Sequence, residues 1–419
     1  MHYKSVIINT SDICTFYIVI IPLIMFYKFP FFADTTCVTI FTMLLAPVFM
    51  LKILEGVVIH KNKAYGLLPL FLCYYCWILF KCLGLPVHFI TMLAAYIFIV
   101  AVAVSDIFNI NLAVKIIETV SIIATVAVLL QFILHYTAGM TSQTLFIHDL
   151  VNSYLQRKID RGWSSSFFRP SAFFSEPSYF AQYSIIGVNS LLFLKSESKA
   201  NLIKAIFITI GILITTSGIG IVLSTLVWLL WYSVREVKKK NRDFQGPFVW
   251  LLWYSVRRSG GSFIINVFSG LVLASLIYFI AMHFSFFSNA TQRIFGNVDG
   301  YNAIHGRLFG LDYYFNHLSI YDWIFGLGYA ALPQVYFTGF MELIYATGII
   351  GLVWFVVLII NCMRHASGFY FNLCLIYLIL LYGANLVSFI QTIFWLSLIY
   401  FGYRQGEEIN KFSGFKISK

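Results

Sequence analysis

The stretch Val87-His-Phe-Ile-Thr-Met-Leu-Ala-Ala-Tyr-Ile-Phe-Ile-Val-Ala-Val-Ala-Val104 contains no aspartate, glutamate, lysine or arginine. A helix of about 20 apolar residues crosses the hydrocarbon core of a bilayer, so this stretch predicts a transmembrane helix. The whole chain has the same character: 60% of its 419 residues are hydrophobic, 11% are charged and the mean hydropathy is +0.84. Soluble domains carry about 25% charged residues. The composition therefore excludes an ordinary soluble fold.

Similar apolar runs recur on both sides of this stretch. Together they predict an all-α, polytopic transmembrane helix bundle of about twelve spans in one integral membrane domain, residues 1–419. The seventh and eighth spans are short and meet at Thr215-Thr216-Ser217-Gly218, which predicts a turn at or just inside a membrane face. The predicted spans cover residues 13–29, 36–54, 65–83, 87–104, 112–135, 177–194, 202–215, 218–234, 262–284, 336–361, 369–384 and 386–403.

The distribution of basic residues predicts the orientation of this bundle. Lysine and arginine collect after the second, sixth, eighth, tenth and twelfth spans. Because basic loops are retained in the cytoplasm, both termini and the loop 235–261 are predicted to be cytoplasmic, and two long loops, 136–176 and 285–335, face the outer side. The net charge of +11 is then mostly a topology signal. Nucleic-acid binding is disfavoured, because the chain has no basic soluble domain.

An internal duplication adjoins the eighth span. The sequence Val-Trp-Leu-Leu-Trp-Tyr-Ser-Val-Arg occurs at 227–235 and again at 249–257. The first copy completes the eighth span. The second copy is too short to cross the membrane and is predicted to lie on the cytoplasmic surface, with its aromatic residues at head-group level. A tandem slip in the coding sequence, without function, is the preferred explanation of the duplication.

The first long outer loop places positive charge on the side that basic residues normally avoid. Arg161 has a local partner in Asp160, whereas Arg169 lies close to the membrane, seven residues before Glu176. Pro177 suits the first turn of the sixth span, and Ser175 is a candidate helix cap. Glu176 then lies at the positive end of the helix dipole, either as a purely structural carboxylate or as a functional one.

The second long outer loop carries Arg293, His305 and Arg307, the last near the start of a predicted helix. The segment Gly326-Leu-Gly328 predicts a tight turn before the next span. Glu342 follows early in the tenth span. A carboxylate costs about 2.5–3.5 kcal/mol at the centre of a membrane helix, so it is a functional candidate by default. The position of Glu342 near the outer end of the span lessens this cost.

These motifs resemble a known family. The run Phe173-Phe-Ser-Glu176-Pro177-Ser178-x-x-Ala181-x-Tyr183, after an outer-loop arginine, resembles the Wzy-type O-antigen and capsule polymerases, which belong to a wider polymerase and ligase group. The resemblance covers about 165–352. Many relatives place an arginine directly after the Thr-x-Ser turn, where this chain has Gly218. Further agreement comes from the Thr-Ser-Gly turn, Gly306-Arg307, Gly326-Leu-Gly328 and Glu342-x5-Gly348-Ile-Ile-Gly351.

The resemblance implies a glycosyltransferase of the bacterial inner membrane. Such enzymes join oligosaccharide repeat units carried on undecaprenyl diphosphate at the periplasmic face, which would make the two long loops periplasmic. The growing chain moves from its lipid diphosphate to the sugar of the next lipid-linked unit. Membrane lipid is a further partner, and the resemblance also allows a chain-length regulator protein.

Candidate site residues follow from this chemistry. Arginine presents a bidentate fork to the diphosphate leaving group, and a carboxylate or histidine can take the proton of the incoming sugar hydroxyl. The sequence does not choose the base among Glu176, His305 and Glu342. The candidate catalytic residues are Arg169, Glu176, His305 and Arg307, and the candidate substrate-binding residues are Arg161, Ser178, Arg293 and Glu342.

The reaction requires no cofactor or metal. The outer loops have no Asp-x-Asp pair and no histidine cluster at ligand spacing. Two other functions stay open. A ligase for lipid-linked saccharides would use the same chemistry with a different acceptor, and a transporter or flippase would predict charged residues near mid-span and related halves.

Overall fold

The computed structural model describes residues 9–25, 27–28, 36–59, 68–139, 168–240, 315–333, 337–366, 368–384, 386 and 388–412. These residues form helices, with no β-strand beyond an isolated bridge between Lys28 and Thr36. The α-helices are α1 Thr10–Ile24, α2 Cys37–Ile59, α3 Leu68–Lys81, α4 Pro86–Val104, α5 Ile110–Ala138, α6 Pro177–Asn189, α7 Lys199–Ile214, α8 Gly218–Lys240, α9 Ile320–Phe325, α10 Gly339–His365, α11 Gly368–Gly383 and α12 Phe389–Phe412. A π-helical turn, Ser190–Leu194, extends α6.

The predicted all-α class is confirmed for the described residues. Eleven of the twelve predicted spans coincide with helices. The ninth, 262–284, lies outside the described residues, as do the second copy of the duplication and most of the loop 285–335, so the count of twelve stays a prediction.

Several helices fit a bilayer. Within the described part of the chain, four helices are long and apolar enough to cross a membrane: Cys37–Glu55, Pro86–Val104, Ile110–Ala138 and Gly339–Arg364. Their outward faces carry large apolar side chains, such as Leu44, which is 66% exposed, and Val87, which is 73% exposed. In a membrane protein such surfaces are covered by lipid. Soluble proteins rarely expose apolar surface over whole helices. The chain therefore has the character of a membrane protein.

The helices pack in two groups. In the first, α12 contacts α1, α4, α10 and α11, and its buried side includes Phe394, Trp395 and Tyr400. In the second, α6 packs against α5, α7 and α8. Tyr183 of α6 stacks on Phe394 of α12 with ring centroids 5.8 Å apart, and this aromatic contact is one of several that join the two groups.

Contacts between helix termini gather several segments at one end of the bundle. Asn109 Nδ2 donates to the Asp12 carboxylate at 3.2 Å and so joins the start of α1 to the connection between α4 and α5. Arg404, late in α12, donates to the backbone oxygen of Ser105 at 2.5 Å and forms an ion pair with Asp106. The start of α1, the α4–α5 connection and the last part of α12 therefore share one end.

The same end includes the last turn of α6. Ser190 Oγ donates to the Glu118 carboxylate at 2.7 Å, and Lys195 forms an ion pair with the same carboxylate. Asn189 Nδ2 donates to the backbone oxygen of Phe369 at 2.9 Å, which adds the start of α11. We call this the lysine-rich end. Its lysines are Lys115, Lys195, Lys199 and Lys204.

The opposite end holds the segments on which the predicted site depends. It includes the last turns of α5, the segment 168–176 before α6, the turn 215–217 between α7 and α8, and the start of α10. We call it the Arg169 end.

Candidate functional site

Residues 168–176 are fixed on the last turns of α5. The Gln131 side chain, which is 1% exposed, accepts from the Ala172 N–H at 2.7 Å and donates to the Ala172 backbone oxygen at 3.4 Å. Ala172 has a φ of +53°, a conformation that L residues rarely adopt. Ser171 Oγ donates to the Phe174 backbone oxygen at 2.9 Å. The amide of Gln131 thus pairs with both polar groups of this strained residue and holds the turn closed.

The start of this segment is also held. Phe168 is buried and stacks on His135 of α5, with ring centroids 4.0 Å apart and an interplanar angle of 5°. Arg169 therefore lies between two anchors, Phe168 on one side and Ala172 on the other. Its backbone is positioned by α5 although it belongs to a connection.

Arg169 reaches the turn between α7 and α8. Its Nε donates to the Thr215 backbone oxygen at 3.5 Å, and its Nη2 donates to the Thr216 backbone oxygen at 3.4 Å. Both bonds are at the long end of the hydrogen-bonding range. The predicted turn is confirmed, and Thr216 has a φ of +49°. The guanidinium therefore lies against a strained backbone turn at the end of two helices.

This contact bears on Gly218, where the family-like pattern has an arginine. The chain brings a guanidinium to the turn from the α5–α6 connection instead. Close packing of α6 on α8 accompanies it, because a Cβ atom on Gly220 would lie 2.7 Å from the Ala181 Cβ. The small residue Ala181 of the motif thus lets α6 approach the turn.

Glu176 and Ser178 lie at the start of α6. Pro177 is the first residue of the helix, as predicted, and Glu176 is its N-cap residue. The predicted cap Ser175 is wrong by one residue, and its buried Oγ has no hydrogen-bond partner among the described residues. Ser178 Oγ donates to Glu176 Oε2 at 3.1 Å. The carboxylate thus has a hydroxyl donor beside it and lies at the positive end of the helix dipole.

The later glycine motifs meet each other. α10 is interrupted at Gly348, which has a φ of +72°. The interruption frees backbone oxygens that accept hydrogen bonds from the Gly326–Gly328 turn: Leu327 N–H donates to Tyr345 at 2.9 Å, and Gly328 N–H donates to Ala346 at 2.9 Å. A Cβ on Gly326 would lie 2.4 Å from the Gly348 nitrogen. Only glycine permits this approach.

The end of α3 completes this junction. Trp77 Nε1 donates to the Thr347 backbone oxygen at 3.2 Å, and Lys81 Nζ donates to the Gly326 backbone oxygen at 2.9 Å. Lys81 also lies 4.9 Å from the centroid of the Trp77 ring, within the range of a cation–π contact. The carbonyls that the broken helix exposes are therefore bonded by groups from two other elements.

Glu342 lies in the first turn of α10 and is only 9% exposed. Beside it is Tyr329, which is 3% exposed and whose Oη has no partner among the described residues. Burial, and then the negative charge of Glu342, hold the pKa of the Tyr329 hydroxyl well above its usual range. The rings of His88 and Tyr329 lie 5.0 Å apart, and His88 Nε2 is also buried without a partner among the described residues. Glu342 is thus the carboxylate of a buried polar cluster.

Sequence reasoning missed His88 and Tyr329. His88 lies in the apolar stretch from which the fold was predicted, and Tyr329 is one of many tyrosines in the chain. No local spacing links two residues so far apart in sequence. The one available signal was a lone histidine at the start of an otherwise uncharged span.

The turn 215–217, which Arg169 contacts, leads into α8, and both the start of α8 and the start of α10 contact the end of α11. Ile219 Cδ1 is 3.2 Å from the position of a Cβ on Gly383, and the Gly339 N–H donates to the Ala384 backbone oxygen at 2.8 Å. Arg169, Glu176, Ser178 and Glu342 therefore share one end of the bundle.

The other predicted site residues lie outside the described residues: Arg161, Arg293, His305 and Arg307. Among the described residues, no group of three or more His, Cys, Asp or Glu side chains could hold a metal ion. Comparison with protein-family models, with curated proteins and with solved structures finds no match for this chain.

Proposed function

We propose that this chain is a glycosyltransferase of the bacterial inner membrane that polymerises oligosaccharide units carried on undecaprenyl diphosphate. The observation that carries the proposal is the position of Arg169. Its guanidinium lies against the turn 215–217, at the end of the bundle where Glu176 is the N-cap residue of α6. An arginine, a carboxylate at a helix N-terminus and a buried carboxylate at one membrane face are the groups that transfer from a lipid diphosphate needs.

The proposed topology has twelve spans and both termini in the cytoplasm. The loops 136–176 and 285–335 then face the periplasm. Two observations support this orientation. Four lysines of the described residues, Lys115, Lys195, Lys199 and Lys204, gather at the end opposite Arg169, and basic residues favour the cytoplasmic side. The family-like motifs that lie in the described residues, by contrast, gather at the Arg169 end, where a periplasmic reaction would take place.

The proposed reaction breaks one bond and forms another. The hydroxyl oxygen of the acceptor sugar attacks the anomeric carbon of the growing chain, and the bond from that carbon to the diphosphate oxygen breaks. The departing undecaprenyl diphosphate carries the bonding electron pair, and its charge needs stabilisation. Arg169 supplies a positively charged fork that is already positioned by Phe168 and Ala172. Arg161, Arg293 and Arg307 are the further proposed contacts for the diphosphate and the sugars.

The acceptor hydroxyl must also lose a proton. We take Glu342 as the base, because it is a buried carboxylate beside the polar side chains of Tyr329 and His88. Glu176 is less suited, since Ser178 donates to it and the helix dipole stabilises its charge. We therefore assign Glu176 to ordering the Arg169 segment and the substrate, with Ser178 beside it. His305 stays a candidate for the second loop.

A gene deletion tests this proposal against its rivals. Loss of a polymerase leaves surface lipid capped with a single repeat unit on a gel, because units are still made, flipped and ligated. Loss of a ligase or flippase leaves no capped unit at all. Restoration of long chains by the intact gene, and not by an Arg169→Ala variant of equal abundance, is the expected result.

A further inference from the structure

A separate cavity of about 560 Å³ lies at the lysine-rich end, on the side of the bundle away from Arg169. Its walls come from the first turns of α5, the end of the π-helical turn and the start of α7. Both polar and apolar side chains line it, and its volume is that of a small-molecule site. The lining residues used below are Val114, Lys115, Glu118, Ile122, Lys195 and Lys204.

The cavity is positively charged. Lys115, Lys195 and Lys204 line it together with one carboxylate, Glu118. That carboxylate is 5% exposed and already engaged, because Lys195 forms an ion pair with it and Ser190 donates to it at 2.7 Å. Lys115 and Lys204 have no acidic partner among the described residues. Two ammonium groups therefore face the cavity without a counter-charge from the described chain.

Two helix starts add to this charge. α5 and α7 both begin at the lysine-rich end, capped by Asn109, which accepts from Leu112 N–H at 3.2 Å, and by Ser198, which accepts from Asn201 N–H at 3.1 Å. The positive ends of two helix dipoles thus point toward the same region as the lysines.

The surroundings of the cavity are apolar on the membrane side. Beyond Ile122, the outward face of α5 continues with Val126 and Leu130, which are 45% and 54% exposed. The outward face of α7 continues from Lys204 with Ile206 and Ile210, each 44% exposed. These rows run along the outer surface of the helices, from the cavity to the level of the membrane centre. Acyl chains lie at that level in a bilayer.

We propose that this cavity binds the phosphate head group of an anionic membrane lipid, with the acyl chains along α5 and α7. Lysine side chains between membrane helices at the cytoplasmic face are suited to such head groups. A lipid fits better than free phosphate, because the apolar rows continue directly from the charged walls. The Glu118–Lys195 pair holds Lys195 at the rim and ties α6 to α5. This site is independent of the proposed transferase reaction, which would take place at the other end.

Native mass spectrometry of the full-length protein with bound lipids tests the proposal. The probes are phosphatidylglycerol, which is anionic, and phosphatidylcholine, which has no net charge. The intact protein is expected to retain phosphatidylglycerol preferentially. The double variant Lys115→Gln/Lys204→Gln should weaken that retention by roughly 10- to 30-fold, because each lysine near a lipid surface contributes about a factor of five.

Two controls keep the result interpretable. Lys199→Gln removes an exposed lysine at the same end that does not line the cavity, and it should leave retention unchanged. Lys115→Arg/Lys204→Arg keeps the charge and should keep the lipid. Equal retention by the intact protein and by the folded double glutamine variant overturns the proposal. Displacement of the lipid by millimolar inorganic phosphate overturns the lipid assignment and leaves a free-anion site.

Discussion

The guanidinium of Arg169 lies 3.5 Å from the backbone oxygen of Thr215 and 3.4 Å from that of Thr216. The arginine is thereby tied to a turn that belongs to two other helices. Since Gln131 and His135 hold its own segment on α5, the position of the charge depends on three helices at once. Substitutions far from the guanidinium are therefore expected to affect it.

Gln131 gives the first prediction. Gln131→Leu leaves the polar groups of Ala172 without their buried partner, which should lower the free energy of unfolding by about 1–3 kcal/mol and loosen the Arg169 segment. Thermal challenge in detergent and polymer length on a gel measure the two effects. Gln182→Leu is the matched control, because Gln182 is a buried glutamine of α6 whose Oε1 has no partner among the described residues. An equal loss in both variants would contradict the anchoring role.

The second prediction concerns the contact between the Gly326–Gly328 turn and Gly348 of α10. A Cβ on Gly348 would lie 2.2 Å from the Ile324 backbone oxygen, and the residue also has a positive φ. Gly348→Ala should therefore prevent accumulation of folded protein, as judged by gel filtration of a fluorescent fusion. Gly139→Ala separates strain from crowding, because Gly139 has a φ of +67° but no described atom within 4 Å of a Cβ. The free energy of unfolding of Gly139→Ala should fall by only about 1–2 kcal/mol. Normal yield of Gly348→Ala would refute the tight approach.

The third prediction concerns the membrane topology of the two ends of the bundle. In a cysteine-free background, Ala138→Cys reports on the Arg169 end and Ser196→Cys on the lysine-rich end, and both positions are exposed. An impermeant maleimide added to intact spheroplasts should label residue 138 at once and residue 196 only after permeabilisation. The reverse pattern would invert the topology and remove the reaction from the periplasm.

The fourth prediction concerns Glu342. If its carboxylate accepts the proton of the acceptor hydroxyl, Glu342→Gln should reduce polymerisation by about 10²-fold or more. A base works only when deprotonated, so the intact enzyme should gain rate as pH rises through the pKa of this group, and the variant should lose that rise. Glu55→Gln is the control, because Glu55 is an exposed carboxylate of α2. Full polymer length and an unchanged pH profile in Glu342→Gln would exclude it as the base.

The sequence predicted the helices better than their junctions. Hydropathy placed the fifth span at 112–135, and the helix is Ile110–Ala138. The turn at 215–217 followed from a polar interruption between two apolar runs, which is a local property. The cap of α6 was assigned to Ser175 rather than Glu176, because side-chain preference does not reveal which residue leaves helical backbone geometry first.

The site was predicted in its parts but not in its arrangement. Arg169, Glu176 and Glu342 were recognised as charged residues near membrane faces. The contact of Arg169 with Thr216, the meeting of Gly326 with Gly348 and the cluster of His88 with Tyr329 all join residues distant in sequence. Such pairs depend on how helices pack, and a single sequence carries no periodic signal for them.

The last prediction concerns Arg169 itself. Lysine keeps the charge but cannot present two parallel donors to a phosphate. Arg169→Lys should therefore lose most polymerisation, and Arg169→Ala should lose about 10²-fold or more, while both proteins stay abundant in the membrane. Arg364→Ala, which removes an exposed arginine late in α10, is the control and should make full-length polymer.

The most direct measurement is the distribution of surface polysaccharide lengths in a deletion strain that carries Arg169→Ala at the abundance of the intact protein. The account predicts lipid capped with a single repeat unit and no longer chains, with Arg364→Ala restoring the full ladder. Full-length polymer from Arg169→Ala would remove this arginine from the reaction and contradict the proposed function of the site.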